Sequence, residues 1–502
     1  MLPKATGTWT KAEARHLLNR AGFGGSPDEI SRFHALGREA AVDVLLNPEE
    51  SIKAFPMPEW ADLESALAKS HEHLVERQEM MEKIKTLPSD EGAKLRRMIQ
   101  GERQKEVRRQ GIEAQGWWFR RMLRTQAPLR EKMTLFWHDH FATSAQKVRE
   151  PMFLMNQNAL FREHATGNFR DLTQAIVRDP AMMLYLDLPR SSREKPNENF
   201  AREVMELFTL GEGNYTETDV REAARAFTGY VLNRRTGEVT QNVTRWDGSE
   251  KTLFGRSGRF NGTDVVKLIF RKDECANFMA GKLWEFFVYE NPGPTIQISL
   301  GDSLRKNDYE IAPVLREIFL SEEFYRENSR AVQIKSPIQY LVQMLKELEL
   351  EEPPPSLPIL GQTQLGQQLF MPPNVAGWDW GKAWINTNTL LARYNLAGMV
   401  TKGGLGDNRT GKMRLGKMRG RRSRQGKSTA PDYASLVAER DRQDVSRLVD
   451  GLIGRFFSMP IPEKARTSFI EYAEEKRGVA FTDTELGELC HLMLSTPYYQ
   501  LC

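Results

Sequence analysis

A dense group of polar and charged side chains lies between Pro196 and Tyr230, in the segment PNENFAREVMELFTLGEGNYTETDVREAARAFTGY. Glutamates at positions i and i+3 of a helix lie on one face, as Glu203 and Glu206 would here. Carboxylate oxygens and imidazole nitrogens are ligands that divalent metal ions take in proteins. One hypothesis is therefore a site for a divalent metal ion as cofactor, shared with histidines from elsewhere. The proposed metal ligands are His138, His140, His164, Glu203, Glu206 and Asp219.

The same charges also have a structural interpretation. Glu198, Arg202 and Glu206 are spaced four residues apart, which places them in a row along one helix face. Such a row is typical of an ion-pair ladder on an exposed helix. Each of the three histidines has a structural alternative as well, as a core side chain bonded to a backbone carbonyl. The sequence leaves both interpretations open.

Residues for catalysis are proposed from the same segment. Arg202 and Arg225 are candidates to hold an anionic substrate group through paired hydrogen bonds, and Glu198 is the third catalytic candidate. A metal-dependent enzyme of this kind would activate water or dioxygen, so hydrolytic and oxidative chemistry both stay open. The alternative is a non-catalytic helical binding or accessory subunit, in which the polar side chains fix helix packing.

A second candidate site lies in the segment LGQQLFMPPNVAGWDWGKAWINTNTLLARYN. Aromatic rings beside amides and carboxylates in a loop suit a sugar-like or peptide-like ligand. They suit a packed loop equally well, or a contact surface for another protein. The proposed substrate-binding residues are Asn374, Trp378, Asp379 and Trp384.

The elements that position these residues are predicted to be helices. Pro196 suits a helix start, Gly211 ends that helix, and Thr216 with Asp219 predicts a capping box for the next one. Apolar residues recur at helical spacing almost everywhere except at 231–262, where short apolar runs alternate with turn signals. The predicted fold class is mainly α, a large bundle-like multi-helix domain with a small β-hairpin insertion near 231–262.

The predicted organisation has three parts. Residues 1–400 form the helical domain, which includes a charged helical hairpin at 62–114. Residues 401–430 are rich in glycine, lysine and arginine without an apolar period, which predicts a disordered basic linker or insert. Residues 431–502 are predicted to be C-terminal helices that pack back on the main domain.

Composition excludes several classes of protein. With 502 residues, 40% hydrophobic and 27% charged, the chain can bury a sizeable core under a charged surface. A net charge of +4 does not argue for a nucleic-acid partner, and three scattered cysteines do not form a disulfide framework. No run of apolar residues is long enough for a membrane span, and no secretory signal is visible, so we expect a cytoplasmic protein.

Ten segments together resemble the bacterial family called domain of unknown function 1800. They cover nearly the whole chain in order, and PNEN and PPNVAGW are the most specific. The segments are HLLNRAGFG, EKMTLFWHDHFATS, REHATGNFRDL, DPAMMLYLD, PNENFAREVMELFTLGEGNYTETDVREAARAFTGY, DVVKLIF, CANFMAGKLWEFFV, IKSPIQYLV, LGQQLFMPPNVAGWDWGKAWINTNTLL and LMLSTPYYQL.

The resemblance implies a mainly α-helical protein of a family without an assigned function. Many members are exported, and they are often encoded beside a family related to sulfatases and alkaline phosphatases. A sulfatase- or phosphatase-like protein is therefore the expected partner. This chain departs from the pattern at Trp246, where many relatives have a histidine before an aspartate, and this weakens a metal role if that histidine is a ligand in them.

Overall fold

The computed structural model describes residues 1–62, 65, 79–80, 82–404, 430–476 and 481–502. These residues are mainly helical, as predicted. The longer helices are Lys11–Ala21, Pro27–Leu36, Arg38–Leu46, Ser89–Arg124, Pro128–His140, Pro151–Glu163, Phe169–Ile176, Glu198–Met205, Glu217–Ala226, Gly262–Ile269, Asp273–Phe287, Pro294–Lys306, Ile311–Leu320, Pro337–Glu347, Ser356–Leu365, Thr387–Thr401, Val445–Phe456, Glu463–Lys476 and Asp483–Leu494. Short helices are Pro180–Tyr185, Glu322–Tyr325 and Tyr433–Leu436.

The predicted β region consists of two separate antiparallel hairpins. The strand Tyr230–Leu232 pairs with Val239–Gln241, and Lys251–Leu253 pairs with Arg256–Gly258. The second hairpin closes through the two residues Phe254 and Gly255, both with positive φ. This is the backbone conformation that a two-residue hairpin loop favours. The mainly α fold with small β hairpins is thus confirmed.

Local capping explains where the charged segment begins and ends its helices. Asn197, one residue after Pro196, caps the helix Glu198–Met205 by accepting a hydrogen bond from the Phe200 N–H. The predicted capping box is present, because Thr216 and Asp219 exchange hydrogen bonds at the start of Glu217–Ala226. Between the two helices the chain widens into a π-helical turn over Glu206–Leu210.

Two clusters of buried apolar side chains form the core. The first is built from residues before 326, and the second joins residues of the N-terminal half to 338–499. The helix Pro128–His140 contributes to both, since Met133 and Trp137 belong to the first cluster and Leu135 to the second. Burial on both sides holds this helix rigidly between the two clusters.

The division of the chain into domains stays a prediction. The last helix, Asp483–Leu494, packs against Thr387–Thr401, and His491 bonds the Tyr394 carbonyl at 2.9 Å. The second arm of the predicted hairpin 62–114 belongs to the helix Ser89–Arg124, and most of the first arm lies outside the described residues. So does the predicted basic insert, apart from residues 401–404 and 430. None of the described helices combines the length and apolarity needed to cross a membrane.

Candidate functional site

A cavity of about 620 Å³ lies where the helix Pro128–His140, the π-helical turn, the helix Asp273–Phe287 and the loop 376–381 meet. Its lining is both aromatic and strongly charged. The aromatic rings are Phe136, Phe278, Phe286, Trp378 and Trp380, and the carboxylates are Asp139, Glu206, Glu212, Glu285, Glu290 and Asp379. Lys132, Lys282, His140, Gln339 and Cys502 also line it.

One face of the helix Pro128–His140 supplies the centre of the lining. Lys132, Phe136, Asp139 and His140 lie at positions i, i+4, i+7 and i+8, which places them in a stripe along the helix. The other faces carry the large apolar residues of the two core clusters. Packing of those faces therefore turns the polar stripe towards the cavity.

Asp139 is the most perturbed carboxyl group of the cavity. Its side chain accepts hydrogen bonds from the Trp378 N–H at 2.8 Å and from the Trp380 indole N–H at 2.6 Å. Burial nevertheless raises the pKa of Asp139 to about 7, and the nearby Asp379 adds to this effect. A carboxyl group with such a pKa can donate or accept a proton near neutral pH.

Gly377 lets the loop approach Asp139 closely. Its φ is +84°, in the left-handed region, and a Cβ atom added there would lie 2.6 Å from the Asp139 main-chain oxygen. The same atom would overlap the Asp139 carboxylate. A residue without a side chain is thus needed for Trp378 and Trp380 to reach Asp139.

His140 faces the cavity as a neutral ring. Its Nε2 bonds the Phe208 carbonyl at 2.9 Å, and a carbonyl only accepts, so the proton lies on Nε2 and the lone pair on Nδ1. Burial lowers the pKa of His140 to about 3. Glu206 lines the same cavity and accepts a hydrogen bond from the Tyr215 hydroxyl.

Lys132 is a buried cation at the cavity wall. Its Nζ donates to the Gln339 Oε1 at 2.7 Å and lies 5.1 Å and 5.4 Å from the ring centroids of Phe23 and Phe286. Across the described ranges, no carboxylate pairs with it within 4.0 Å. Burial lowers the pKa of Lys132 to about 8; the nearby Cys502 opposes this effect, and Arg20 adds to it.

A comparison with known protein families shows which family the chain belongs to. A family model described as "Protein of unknown function (DUF1800)" matches residues 16–501. The chain belongs to this family. No curated protein and no solved structure matches it.

Segments that carried the resemblance to DUF1800 converge on the cavity. EKMTLFWHDHFATS contributes the stripe that runs from Lys132 to His140. The segment that begins with PNEN contributes Glu206, and CANFMAGKLWEFFV contributes Phe278 and Lys282. IKSPIQYLV contributes Gln339, and PPNVAGWDW contributes Trp378. These segments are distant in sequence, so their meeting at one cavity makes it the candidate site of this DUF1800 protein.

The predicted metal ligands are only partly brought together. His140 and Glu206 share the cavity, while His138, His164, Glu203 and Asp219 do not line it. In the part of the chain that the structure describes, no three His, Cys, Asp or Glu side chains form a group that could hold a metal ion. The metal site is therefore not confirmed in this DUF1800 protein.

Two of these residues have other partners that explain the difference. His138 is a buried histidine whose Nε2 accepts a hydrogen bond from the Phe370 N–H at 3.1 Å, among the rings of Trp118 and Trp378. Asp219 accepts hydrogen bonds from Thr216 and from the Phe254 N–H at 2.8 Å. Backbone N–H groups thus occupy an acceptor atom of each side chain that the metal hypothesis assigned to a metal ion.

Two further ligand candidates lie elsewhere. His164 is the residue that caps the C-terminal end of the helix Pro151–Glu163. Glu203 is half-buried, and burial together with the nearby Glu206 raises its pKa.

The two arginines are engaged in ion pairs outside the cavity lining. Arg202 binds Glu217 of the next helix through two bonds of 2.7 Å, so the predicted ladder with Glu198 and Glu206 does not form. Arg225 pairs with Glu222 at 2.8 Å and with Asp247 at 2.7 Å. Glu198 is exposed. The structure therefore does not bring these three catalytic candidates to the cavity.

The tryptophan loop, residues 374–384, supports part of each interpretation, because some of its predicted binding residues line the cavity and others are packed. Trp378 and Asp379 line the cavity. Asn374 instead closes a turn by accepting the Ala376 N–H at 2.8 Å, and Trp384 is buried with its ring 5.9 Å from that of Trp380. Because Trp378 and Trp384 are both buried, they do not form an exposed contact surface.

Sequence reasoning missed Lys132, Asp139, Lys282, Glu285 and Glu290 as residues of the site. A signal for Lys132 was present, since the positions three and four residues away on its helix are all apolar: Pro128, Leu129, Leu135 and Phe136. A lysine in such a pattern indicates a buried cation with a specific role.

Proposed function

We propose that this cavity binds a small organic cation, and that the protein is an enzyme in which Asp139 transfers a proton to or from that substrate. The observation that carries this proposal is the lining itself. It combines five aromatic rings with six carboxylates against two lysines. Ring faces and carboxylates both attract ammonium groups, and aromatic cages are used to recognise them.

The carboxylates of the lining lack the partners that would neutralise them. None of the six forms an ion pair within 4.0 Å with a lysine, arginine or histidine of the described ranges. Unpaired carboxylates around a partly closed cavity create a negative potential there. A bound cation would relieve the repulsion between these carboxylates. The cavity therefore favours a cationic ligand over an anionic one.

The donor set favours an organic cation over a divalent metal. A metal ion requires several oxygen or nitrogen atoms to converge within roughly 2.0–2.6 Å of one point. The carboxylates of this cavity come from separate elements, and no group of three His, Cys, Asp or Glu that could hold a metal ion occurs among the described residues. Aromatic rings do not ligate a divalent ion, but they do stabilise a large cation with diffuse charge.

Asp139 supports an enzymatic role rather than binding alone. A pKa of about 7 leaves the carboxyl group about half ionised at neutral pH. The two tryptophan donors hold both of its oxygens in place. A positioned group with a pKa near the working pH is the requirement for general acid–base catalysis.

Choline and its uncharged isostere 3,3-dimethylbutan-1-ol test the proposal directly by calorimetric titration. We expect choline to bind and the isostere to bind at least roughly tenfold more weakly, a difference of about 1.4 kcal/mol. Equal binding of the two compounds, or binding of neither, would contradict the proposed cation site.

The affinity for choline should also rise with pH through the pKa of Asp139, about 7. Choline carries a permanent charge, so a change of its affinity with pH comes from ionisation of the protein. Asp139 adds a negative charge to the cavity as it deprotonates, and Lys132, whose pKa burial lowers to about 8, loses a positive charge at higher pH. Asp139→Asn should remove the part of the rise that is centred near pH 7 and leave the part that comes from Lys132 near pH 8. Glu91→Gln, an exposed residue on the helix Ser89–Arg124, is the control and should leave the whole rise unchanged.

A second candidate function is an accessory subunit for a sulfatase- or phosphatase-like partner. One observation favours it. Leu390, Leu391 and Tyr394 are exposed by 46%, 58% and 51% on the helix that follows the tryptophan loop. Adjacent exposed apolar side chains mark protein-binding surfaces. Replacing all three with serine should abolish co-purification with a co-expressed partner while choline binding is retained.

A further inference from the structure

Lys132 differs from the other charged side chains of the cavity in its surroundings. It is 7% exposed and reaches the lining between two phenylalanine rings. Its one hydrogen-bond acceptor within the described ranges is the neutral Gln339 Oε1. An amide oxygen does not hold a positive charge as a carboxylate does, so the site tolerates a neutral amine.

A chain of buried amides determines which atom Gln339 offers to Lys132. Glu347 accepts hydrogen bonds from the Gln343 Nε2 at 2.8 Å and from the Tyr499 hydroxyl at 2.7 Å. Since a carboxylate only accepts, Gln343 must turn its Oε1 towards Gln339, whose Nε2 donates to it at 3.1 Å. Gln339 is then left with its own oxygen facing Lys132.

This arrangement positions the lone pair of the amine. Gln339, Gln343 and Glu347 lie four residues apart along one buried face of the helix Pro337–Glu347, so the chain is rigid. A neutral Lys132 uses one N–H on Gln339, and its lone pair is not consumed there. We propose that the Lys132 Nζ is a nucleophile that forms an imine with a carbonyl compound bound in the cavity.

The reaction balances without any further reagent. The neutral amine attacks the carbonyl carbon, a C–N bond forms, and the proton lost from nitrogen passes to oxygen to give a carbinolamine. The hydroxyl group then takes a proton from a general acid and leaves as water, while the C=N double bond forms. The product is a protonated imine attached to Lys132, plus one water molecule.

Asp139 is placed to supply that proton. It lies seven residues after Lys132 on the same helix face, about 10 Å along the axis at 1.5 Å per residue. Both side chains line the cavity, so a small substrate can contact both. With a pKa of about 7, Asp139 carries a proton in about half of the molecules at neutral pH.

The acidic lining stabilises the product of this step. A protonated imine is itself an organic cation, so this inference rests on the proposed cation site and extends it to carbonyl substrates. The pKa of Lys132, lowered to about 8 by burial, leaves about a tenth of the amine neutral at neutral pH, against fewer than about one in a thousand for an ordinary lysine.

The full-length protein with betaine aldehyde and cyanoborohydride tests the inference. Cyanoborohydride reduces an imine to a stable secondary amine, and peptide mass spectrometry locates the label. We expect the label at Lys132. Lys335 is an internal control, because burial also lowers its pKa to about 8 although it does not line the cavity. A label at Lys335 to the same extent, or no label at Lys132, would overturn the inference.

Two further comparisons separate this inference from the proposed function. Lys132→Met should lose the label and still bind choline, since it removes a positive charge from the cavity. The uncharged isostere 3,3-dimethylbutanal should label Lys132 at least roughly tenfold less than betaine aldehyde does, if the lining selects a cation. Equal labelling by both aldehydes refutes the cation site and leaves the imine intact. Choline binding without any label at Lys132 refutes the imine and leaves the cation site.

Discussion

Replacing Glu131 with glutamine should lower the free energy of unfolding by about 3–5 kcal/mol. Glu131 is fully buried and accepts hydrogen bonds from Arg121 at 2.6 Å and from Arg162 at 2.6 Å and 2.9 Å. The Trp118 indole donates to it as well, at 3.0 Å. The substitution would leave two buried guanidinium groups without their shared counter-charge. This costs far more free energy than the loss of one partner of an exposed ion pair.

Chemical denaturation of the Glu131→Gln and Glu106→Gln variants measures the difference. Glu106 pairs with Arg109 on the exposed side of the helix Ser89–Arg124, so its replacement should cost less than about 1 kcal/mol. Similar losses in the two variants would show that burial does not strengthen the Glu131 interaction.

The same carboxylate should also influence stability in acid. Burial opposes ionisation of Glu131, but Arg162 and Arg121 outweigh it and lower its pKa. A group whose pKa is lower in the folded state contributes fully above its unfolded pKa, and loses that contribution as pH falls through the folded value. The stability of Glu131→Gln should therefore depend less on pH in this acidic range than that of the native chain.

Gly377→Ala should destabilise the protein by about 2–5 kcal/mol and abolish choline binding. Two costs add at this position. Alanine is strained in the left-handed backbone conformation of this position, where φ is +84°. Its Cβ would also lie 2.6 Å from the Asp139 main-chain oxygen. Since the helix that carries Asp139 is packed on both sides, the loop must move. Trp378 and Trp380 would then lose their bonds to the Asp139 carboxylate.

Gly366→Ala is a matched control for that variant. Gly366 has φ of +88°, but a Cβ atom there would meet nothing within 4 Å. We expect this variant to lose about 1–2 kcal/mol from conformation alone and to bind choline normally. Thermal unfolding and calorimetric titration of both variants measure the two effects. If Gly366→Ala were as damaging as Gly377→Ala, close approach to Asp139 would not be the reason for glycine in the loop.

The local structure of the charged segment could be predicted because its determinants lie within a few residues. The capping box of Thr216 and Asp219 connects positions three apart, and its geometry follows from the start of a helix. The hairpins at 230–258 follow from short apolar runs and turns in the same way. The mainly α fold class rests on such local periodicity over the described residues.

Charge pairing required the tertiary structure. One interpretation of the spacing pairs Arg202 with its helical neighbours Glu198 and Glu206, yet Arg202 binds Glu217, which the turn brings against it. A bidentate pair with a facing carboxylate competes successfully with single bonds along one helix, since both hydrogen bonds are aligned. The count of charges in the sequence could not reveal this choice, nor the backbone donors that satisfy Asp219.

By itself, the sequence determined the family and the helical architecture, and its candidate residues included His140, Glu206, Trp378 and Asp379 of the cavity. Only the tertiary structure decided which side chains meet, because Lys132 contacts Gln339 and Asp139 contacts Trp378 across more than two hundred residues. It also decided their chemistry. The raised pKa of Asp139 and the lowered pKa of Lys132 are effects of burial, and burial is a property of the packed chain rather than of any local pattern.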